Sequence, residues 1–255
     1  MNVRVPAAAG LLASVLLAGC VTTGDKQVGQ SPQAAGEANL SLGVAYLQQG
    51  NLPVAKDKLE KAAKQTPKNP QVHGMLGLLY HRIGDDKLAE KEYRTALELA
   101  PGDPEQLNNY AIFLCSVGRA DEGVSRFEEA AKNPLYRTPW AAYTNAGVCL
   151  RSAKRDADAR SLFLRASQVN PNFAEAIVQL ADLDLADHQP ADAYRRTSDY
   201  LKTNPTSPDI LLLGWRAAHE LKDPAGAAQM AWRMQSDFPD SEQAHTLARL
   251  SAGKN

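Results

Sequence analysis

A chain of 255 residues, 44% hydrophobic and 22% charged, can bury a sizeable core. Its 28 basic and 29 acidic side chains nearly cancel, which leaves no electrostatic footprint for nucleic acid. An aromatic content of only 6% suits closely stacked helices better than a sheet.

Residues 1–19 read as a targeting segment. Arg4 supplies a short positive region, and Ala7 to Leu17 is apolar but too short to span a bilayer as a helix. The segment ends Leu17-Ala18-Gly19-Cys20, which resembles bacterial lipoprotein signals, cut just before a cysteine that becomes lipidated. The resemblance implies lipidation of Cys20; an ordinary secretory signal with an accidental cysteine is the plainer alternative. Residue 21 is Val rather than the Asp that, in enterobacterial-type sorting, retains lipoproteins in the inner membrane. The outer membrane, facing the periplasm, is the expected location. Residues 20–35, rich in Thr, Gly, Gln and Ser, are expected to form a flexible tether spanning about 20–25 Å as a coil.

From Gly36 the same 34-residue sentence is written twice, with Leu42-Gly43 answered by Leu76-Gly77 and Tyr46 by Tyr80. Ala55 is answered by Ala89, Leu59 by Tyr93, Ala62 by Ala96 and Pro67 by Pro101. This is the tetratricopeptide pattern, in which each unit is a pair of helices. Gly43 and Gly77 are expected to admit the second helix where a Cβ would collide, with Ala55 and Ala89 facing them. Pro67 and Pro101 stop that helix.

The period continues, giving repeats 36–69, 70–103, 104–139, 140–173, 174–207 and 208–239. The third is longer by Asn133-Pro134-Leu135-Tyr136-Arg137-Thr138-Pro139, a loop with two prolines. Gly50, Gly84 and Gly118 share the position where a left-handed residue closes a helix, and Lys154, His188 and Lys222 occupy it in the later repeats. Repeat six departs most, with Gly214-Trp215 at the Leu-Gly pair: its first helix must shift or the Trp must point elsewhere. Asp240 to Leu250 reads as a last helix, capped by Asp240 or Ser241, that closes the exposed face of the array. The expected fold is all-α: a right-handed solenoid of six repeats plus a capping helix over residues 36–255, thirteen helices in all.

The third and fourth repeats carry Asn108-Asn109-Tyr110-Ala111-Ile112-Phe113-Leu114-Cys115, Phe127-Glu128-Glu129-Ala130, Asn133-Pro134-Leu135-Tyr136 and Asn145-Ala146-Gly147-Val148-Cys149. With the lipidation site, the tether and six repeats, the chain resembles the type IV pilus biogenesis and stability lipoproteins, the PilF/PilW-type pilotins, over essentially its whole mature length. Ala111 departs from the family's more usual Gly. The resemblance implies a helper that carries the outer-membrane secretin, the pilus exit pore, to its membrane and promotes its multimerisation. A scaffold recruiting cell-wall hydrolases or proteases, and an outer-membrane-protein assembly subunit, are the alternatives.

Catalysis finds little support. The five histidines fall at unrelated repeat positions, and His219-Glu220-Leu221-Lys222-Asp223 misses the zinc-peptidase motif because its second ligand is Asp. Asp182, Asp184 and Asp187 lie on different faces of one helix and read as solvated surface. No phosphate-cradling or nucleotide fingerprint is present. Neither a cofactor, a metal nor a small-molecule substrate is expected. Cys115 and Cys149 sit in the first helices of neighbouring repeats, and in an oxidising periplasm a disulfide is the expectation over two small buried hydrophobes. The expected partner face is the concave one, lined by positions two, five, nine, twelve and thirteen of each first helix. In repeat one Leu40, Val44 and Leu47 form an apolar stripe distinct from the structural residues, and Leu78 and Ile112 extend it. Arg151, Asp182 and Arg216 make the later concave face polar.

Overall fold

A computed structural model describes residues 31–253; the predicted signal segment and Cys20 lie outside the described residues. Thirteen α-helices follow one another, and among the described residues there is no strand. The first three pairs are α1 (Pro32–Gln48) with α2 (Leu52–Gln65), α3 (Pro70–Arg82) with α4 (Asp86–Leu99), and α5 (Pro104–Ser116) with α6 (Ala120–Lys132). Then come α7 (Pro139–Ser152) with α8 (Asp156–Val169), α9 (Ala174–Ala186) with α10 (Pro190–Thr203), and α11 (Pro208–Glu220) with α12 (Pro224–Asp237). The chain closes with α13 (Glu242–Ser251), capped by Ser241 as the sequence allowed.

Burial separates the two helices of a pair. Helix α4 buries Ala89, Tyr93 and Ala96, one narrow stripe at helical spacing. Helix α3 buries Val72, Gly74, Leu76, Gly77 and Leu79 and so is covered on two sides. The reason is its position: α1 touches α3, α3 touches α5, α5 touches α7 and α9 touches α11. No even helix makes a comparable contact with the next even helix among the described residues. The odd helices therefore form the inner, concave row. Between α7 and α9 the link is polar, Arg151 donating to Gln179 at 2.6 Å and to Asp182 at 2.8 Å.

The glycine of the Leu-Gly pair has a different partner from the one expected. A Cβ on Gly43 would meet the Leu59 side chain, one on Gly77 the Tyr93 ring and one on Gly147 the Phe163 ring. The large residue one turn beyond Ala55 or Ala89, and not the alanine, is what requires glycine. That rule also resolves repeat six. There the sizes are exchanged, with Trp215 at the glycine position and Ala231 at the large one, and both lie in the last core with Met230, Met234 and Leu247. Trp215 is accordingly buried in place and stacks on His219 at 5.1 Å.

Two other expectations need correction. Helix α1 begins at Pro32, so residues 32–35 of the predicted tether are helical. Ser31 accepts from the Ala34 amide and Pro32 sits at the first helical position, a start signal the composition obscured. Asp184 is not solvated: it is buried between the Arg160 and Arg196 guanidiniums, the latter at 2.6 Å. It occupies the position of Tyr80 and Leu114, where a lone carboxylate would be prohibitive and one held by two arginines is not.

The turn residues behave as the repeat positions predict. Gly50, Gly84 and Gly118 have φ of 75°, 84° and 81°, and Lys154, His188 and Lys222 adopt φ of 59°, 57° and 58°. A side chain in the left-handed region costs roughly 1–2 kcal/mol. Lys154→Gly and Lys222→Gly should therefore each raise stability by about 1 kcal/mol, less the entropy glycine gains in the unfolded chain. Denaturant titration of each variant checks this; an unchanged or lowered midpoint would mean that contacts of the lysine side chains offset the strain.

Candidate functional site

The concave row at position nine runs Val44, Leu78, Ile112 and Val148, one residue on each of four successive inner helices. Ile112 is 46% exposed and Val148 39%, while Val44 and Leu78 are half-buried. At the next two positions the row turns polar with Asp182 and Arg216, and Asp182 is ion-paired with Arg151 at 2.8 Å and lies 3.7 Å from Arg216. The floor is thus apolar over four repeats and charge-neutralised beyond them.

The predicted stripe in repeat one is only partly on this surface. Leu47 is 2% exposed and belongs to the first core with Leu59, Leu76 and Leu79, so it is a packing residue and offers nothing to a partner. Helix α3 covers it, and Arg82 closes the site by donating to the Leu47 carbonyl at 2.8 Å. Leu40 is half-buried and packs against the same core. Val44 and Ile112 lie on the row, and so does Leu78, although like Leu40 it is half-buried and packs against the core. Val148 is an addition to the expected set, although it holds position nine of repeat four and the period alone points to it.

Cys115 and Cys149 are bonded, with Sγ–Sγ 2.07 Å and Cα–Cα 5.5 Å. The bond joins α5 to α7, the helices that carry Ile112 and Val148. Gly123 takes the place of the alanine found there in other repeats because a Cβ would run into the Cys115 sulfur. Along the same face His81 bridges Asp86 at 2.7 Å and the Ser116 hydroxyl at 3.0 Å, with its ring edge-on to Phe113. The outer surface holds a groove of about 670 Å³ over Leu107 and Tyr110. On its rim Arg94 is paired with Glu90 and Arg126 with Glu129. Arg119 and Arg94 hold the Glu90 carboxyl down at about 2. Among the described residues no cluster of His, Cys, Asp and Glu could hold a metal ion. Nor is any described helix long and apolar enough to cross a membrane.

His73 ties the second repeat together. Its Nδ1 lies 2.7 Å from Glu92 and its Nε2 2.9 Å from the Pro67 carbonyl, so both nitrogens face acceptors. The hydrogen bond to Glu92 raises the His73 pKa, burial opposes this, and the Pro67 carbonyl adds to the rise. A raised folded value means the stabilisation is full below the ordinary histidine pKa of about 6.5 and fades as pH rises through the folded value. His73→Gln should accordingly lose more stability at pH 5.5 than at pH 8.5 in parallel thermal melts. An equal loss at both would show that packing, not charge, is what His73 supplies.

Stacked helix pairs with an inner row free to accept a segment define a tetratricopeptide array protein, a class that works by binding other proteins. A tetratricopeptide repeat family profile matches residues 27–104 and 116–177. The type IV pilus assembly protein PilF of Pseudomonas aeruginosa is 31% identical over 244 residues, covering 94% of this chain and 96% of that one. The chain belongs to the PilF/PilW family of tetratricopeptide type IV pilus assembly proteins. The solved structure of Pseudomonas aeruginosa PilF aligns with TM-score 0.66 at 28% identity, over 88% of this chain and 99% of its own. That of PilW, a widely conserved type IV pilus biogenesis factor, aligns at 0.65 and 28%, over 84% and 98%. A Haemophilus influenzae protein without an assigned role is 32% identical over 48% of this chain and 69% of its own.

Proposed function

We propose that this chain is a non-enzymatic outer-membrane lipoprotein, a pilotin that binds the type IV pilus secretin and promotes its outer-membrane localisation and multimerisation. The observation that carries the reading is the concave row, on which Ile112 and Val148 are exposed and Val44 and Leu78 half-buried, Leu78 also packing against the first two repeats' cores. A partner segment with apolar side chains at matching intervals would gain most of its affinity there. Family membership supports a role in pilus assembly, and the sequence before Cys20 supports a lipid anchor facing the periplasm.

The test is a deletion strain complemented with wild type or Cys20→Ala, scored for secretin multimers in outer-membrane fractions and for twitching motility. Deletion should remove both, wild type should restore both, and Cys20→Ala should lose palmitate labelling and leave the multimers out of the outer membrane. Normal multimers in the deletion strain would overturn the pilotin reading and favour another periplasmic scaffold. Unchanged palmitate labelling of Cys20→Ala would overturn the anchor.

A further inference from the structure

Position six of the inner helices carries an amide side chain in three successive repeats, Asn109, Asn145 and Gln179. It lies one turn before the apolar row, so Asn109 precedes Ile112 and Asn145 precedes Val148 at i, i+3 spacing on the same helix. Asn145 reaches back across the junction of α5 and α7 and donates to the Asn108 amide oxygen at 3.3 Å. Both residues are half-buried, and among the described residues neither side chain makes another hydrogen bond. The Asn145 oxygen and the Asn108 amino group are left over, an acceptor and a donor that together complement a peptide unit. Asn109 holds the same position at the junction of α3 and α5, where the matching residue on α3 is Gly74, with no side chain to bond.

Gln106 is a second sign at that junction. It is 4% exposed, its amide oxygen occupies the space a Cβ on Gly74 would take, and that oxygen has no hydrogen-bond partner. A buried acceptor without a donor is unfavourable, and turning it up into the groove to meet a ligand's N–H breaks no bond of that oxygen. Positions five, six and nine of α3, α5 and α7 hold no ionisable side chain, so this stretch of floor matches an uncharged segment. Spacing decides the conformation of such a segment. Packed helices stand about 8–10 Å apart, so Ile112 and Val148 recur at about that interval. A polyproline-type chain turns once in three residues and rises about 9 Å in doing so, which sets every third side chain on one row. A β-strand returns a side chain to the same face after about 6.7 Å and falls out of step. An α-helix recurs after about 10.5 Å, but its peptide groups are bonded internally and would leave the amides without partners. The polyproline-type chain has both the period and the free peptide groups.

We infer that repeats two to four seat an uncharged partner segment in polyproline-type conformation, its apolar side chains at every third residue over Ile112 and Val148 and its peptide groups bonded to Asn108, Asn109 and Asn145. This rests on the concave-row reading above and names the conformation that the row accepts. The test is fluorescence anisotropy with the full mature chain and a labelled peptide of four Leu-Ser-Pro units, which favours this conformation and keeps an N–H on each leucine. Wild type should bind it. Asn109→Leu combined with Asn145→Leu should weaken binding about tenfold or more, the loss of two or three hydrogen bonds, while circular dichroism and melting stay near wild type. Should that double variant not fold, Asn109→Ser alone carries the test, since Asn109 faces Gly74. Undiminished binding by the folded variant overturns the inference. So does a wild-type chain that fails to bind the peptide at millimolar concentration, or one that prefers a helical peptide with leucine at every seventh residue. The same variants in the deletion strain separate the two readings. Normal secretin multimers with the asparagine variant, and none with Ile112→Glu combined with Val148→Glu, overturn this inference and leave the pilotin reading intact. Peptide binding that follows the asparagines, in a protein whose deletion leaves multimers normal, keeps the seat and removes the secretin.

Discussion

Replacing both Cys115 and Cys149 by Ala should lower stability by about 3–4 kcal/mol, the chain-entropy value for closing a loop of 34 residues. The loss should be local. In a stacked array each unit packs on its neighbours, so a cross-link between repeats three and four acts on that junction. Hydrogen exchange should show the amides of α5 and α7 losing protection while α1 to α3 and α11 to α13 change little. Reducing the wild-type protein should reproduce the effect without changing a side chain, which separates the bond from any packing lost on substitution. The same bond bears on function, because it ties the helix of Ile112 to the helix of Val148 and so fixes their spacing. A reduced protein as stable as the oxidised one would show that the α5–α7 contact needs no covalent support.

The repeat period made the helix pairs, the left-handed turns and the cap legible, because each depends on residues within one unit or its immediate neighbour. The concave floor was legible to the same extent: position nine points inward in every repeat, so Val44, Leu78 and Ile112 could be placed from the period alone. Position twelve could not be treated alike. In repeat one Leu47 comes beneath α3 and is consumed by the first core, whereas in repeat three the same position holds Cys115 and its bond. What a side chain touches across a repeat boundary depends on how the two units sit, and spacing does not encode that. Asp184 shows the limit most clearly. A carboxylate at a core position is acceptable only because Arg160 from α8 and Arg196 from α10 converge on it, three residues that no local pattern connects.

The largest functional effect should come from Ile112→Glu combined with Val148→Glu. Both side chains are more than a third exposed, so the free protein should keep its helicity and melt close to wild type, within the roughly 0.5 kcal/mol usual for surface changes. Glutamate is a good helix former, so the inner helices lose nothing to propensity. In complex with a partner the effect is the reverse. Each apolar side chain, fully buried, contributes about 1.5–3 kcal/mol, and a carboxylate in its place must be desolvated. Losing both contacts removes about 3 kcal/mol or more, over a hundredfold in Kd, enough to abolish secretin multimerisation in the deletion strain described above. Two comparisons locate the effect. Arg216→Ser, on the polar end of the same face and only 3.7 Å from its nearest charge partner, should reduce assembly far less. Leu47→Glu should fail differently, by destabilising the first repeat, since Leu47 is core. A folded Ile112→Glu/Val148→Glu protein that still assembles multimers would move the partner's seat off the concave row. Because Ile112 and Val148 are held in register by the disulfide, the natural place to look next would then be the outer groove over Leu107 and Tyr110, which that bond does not touch.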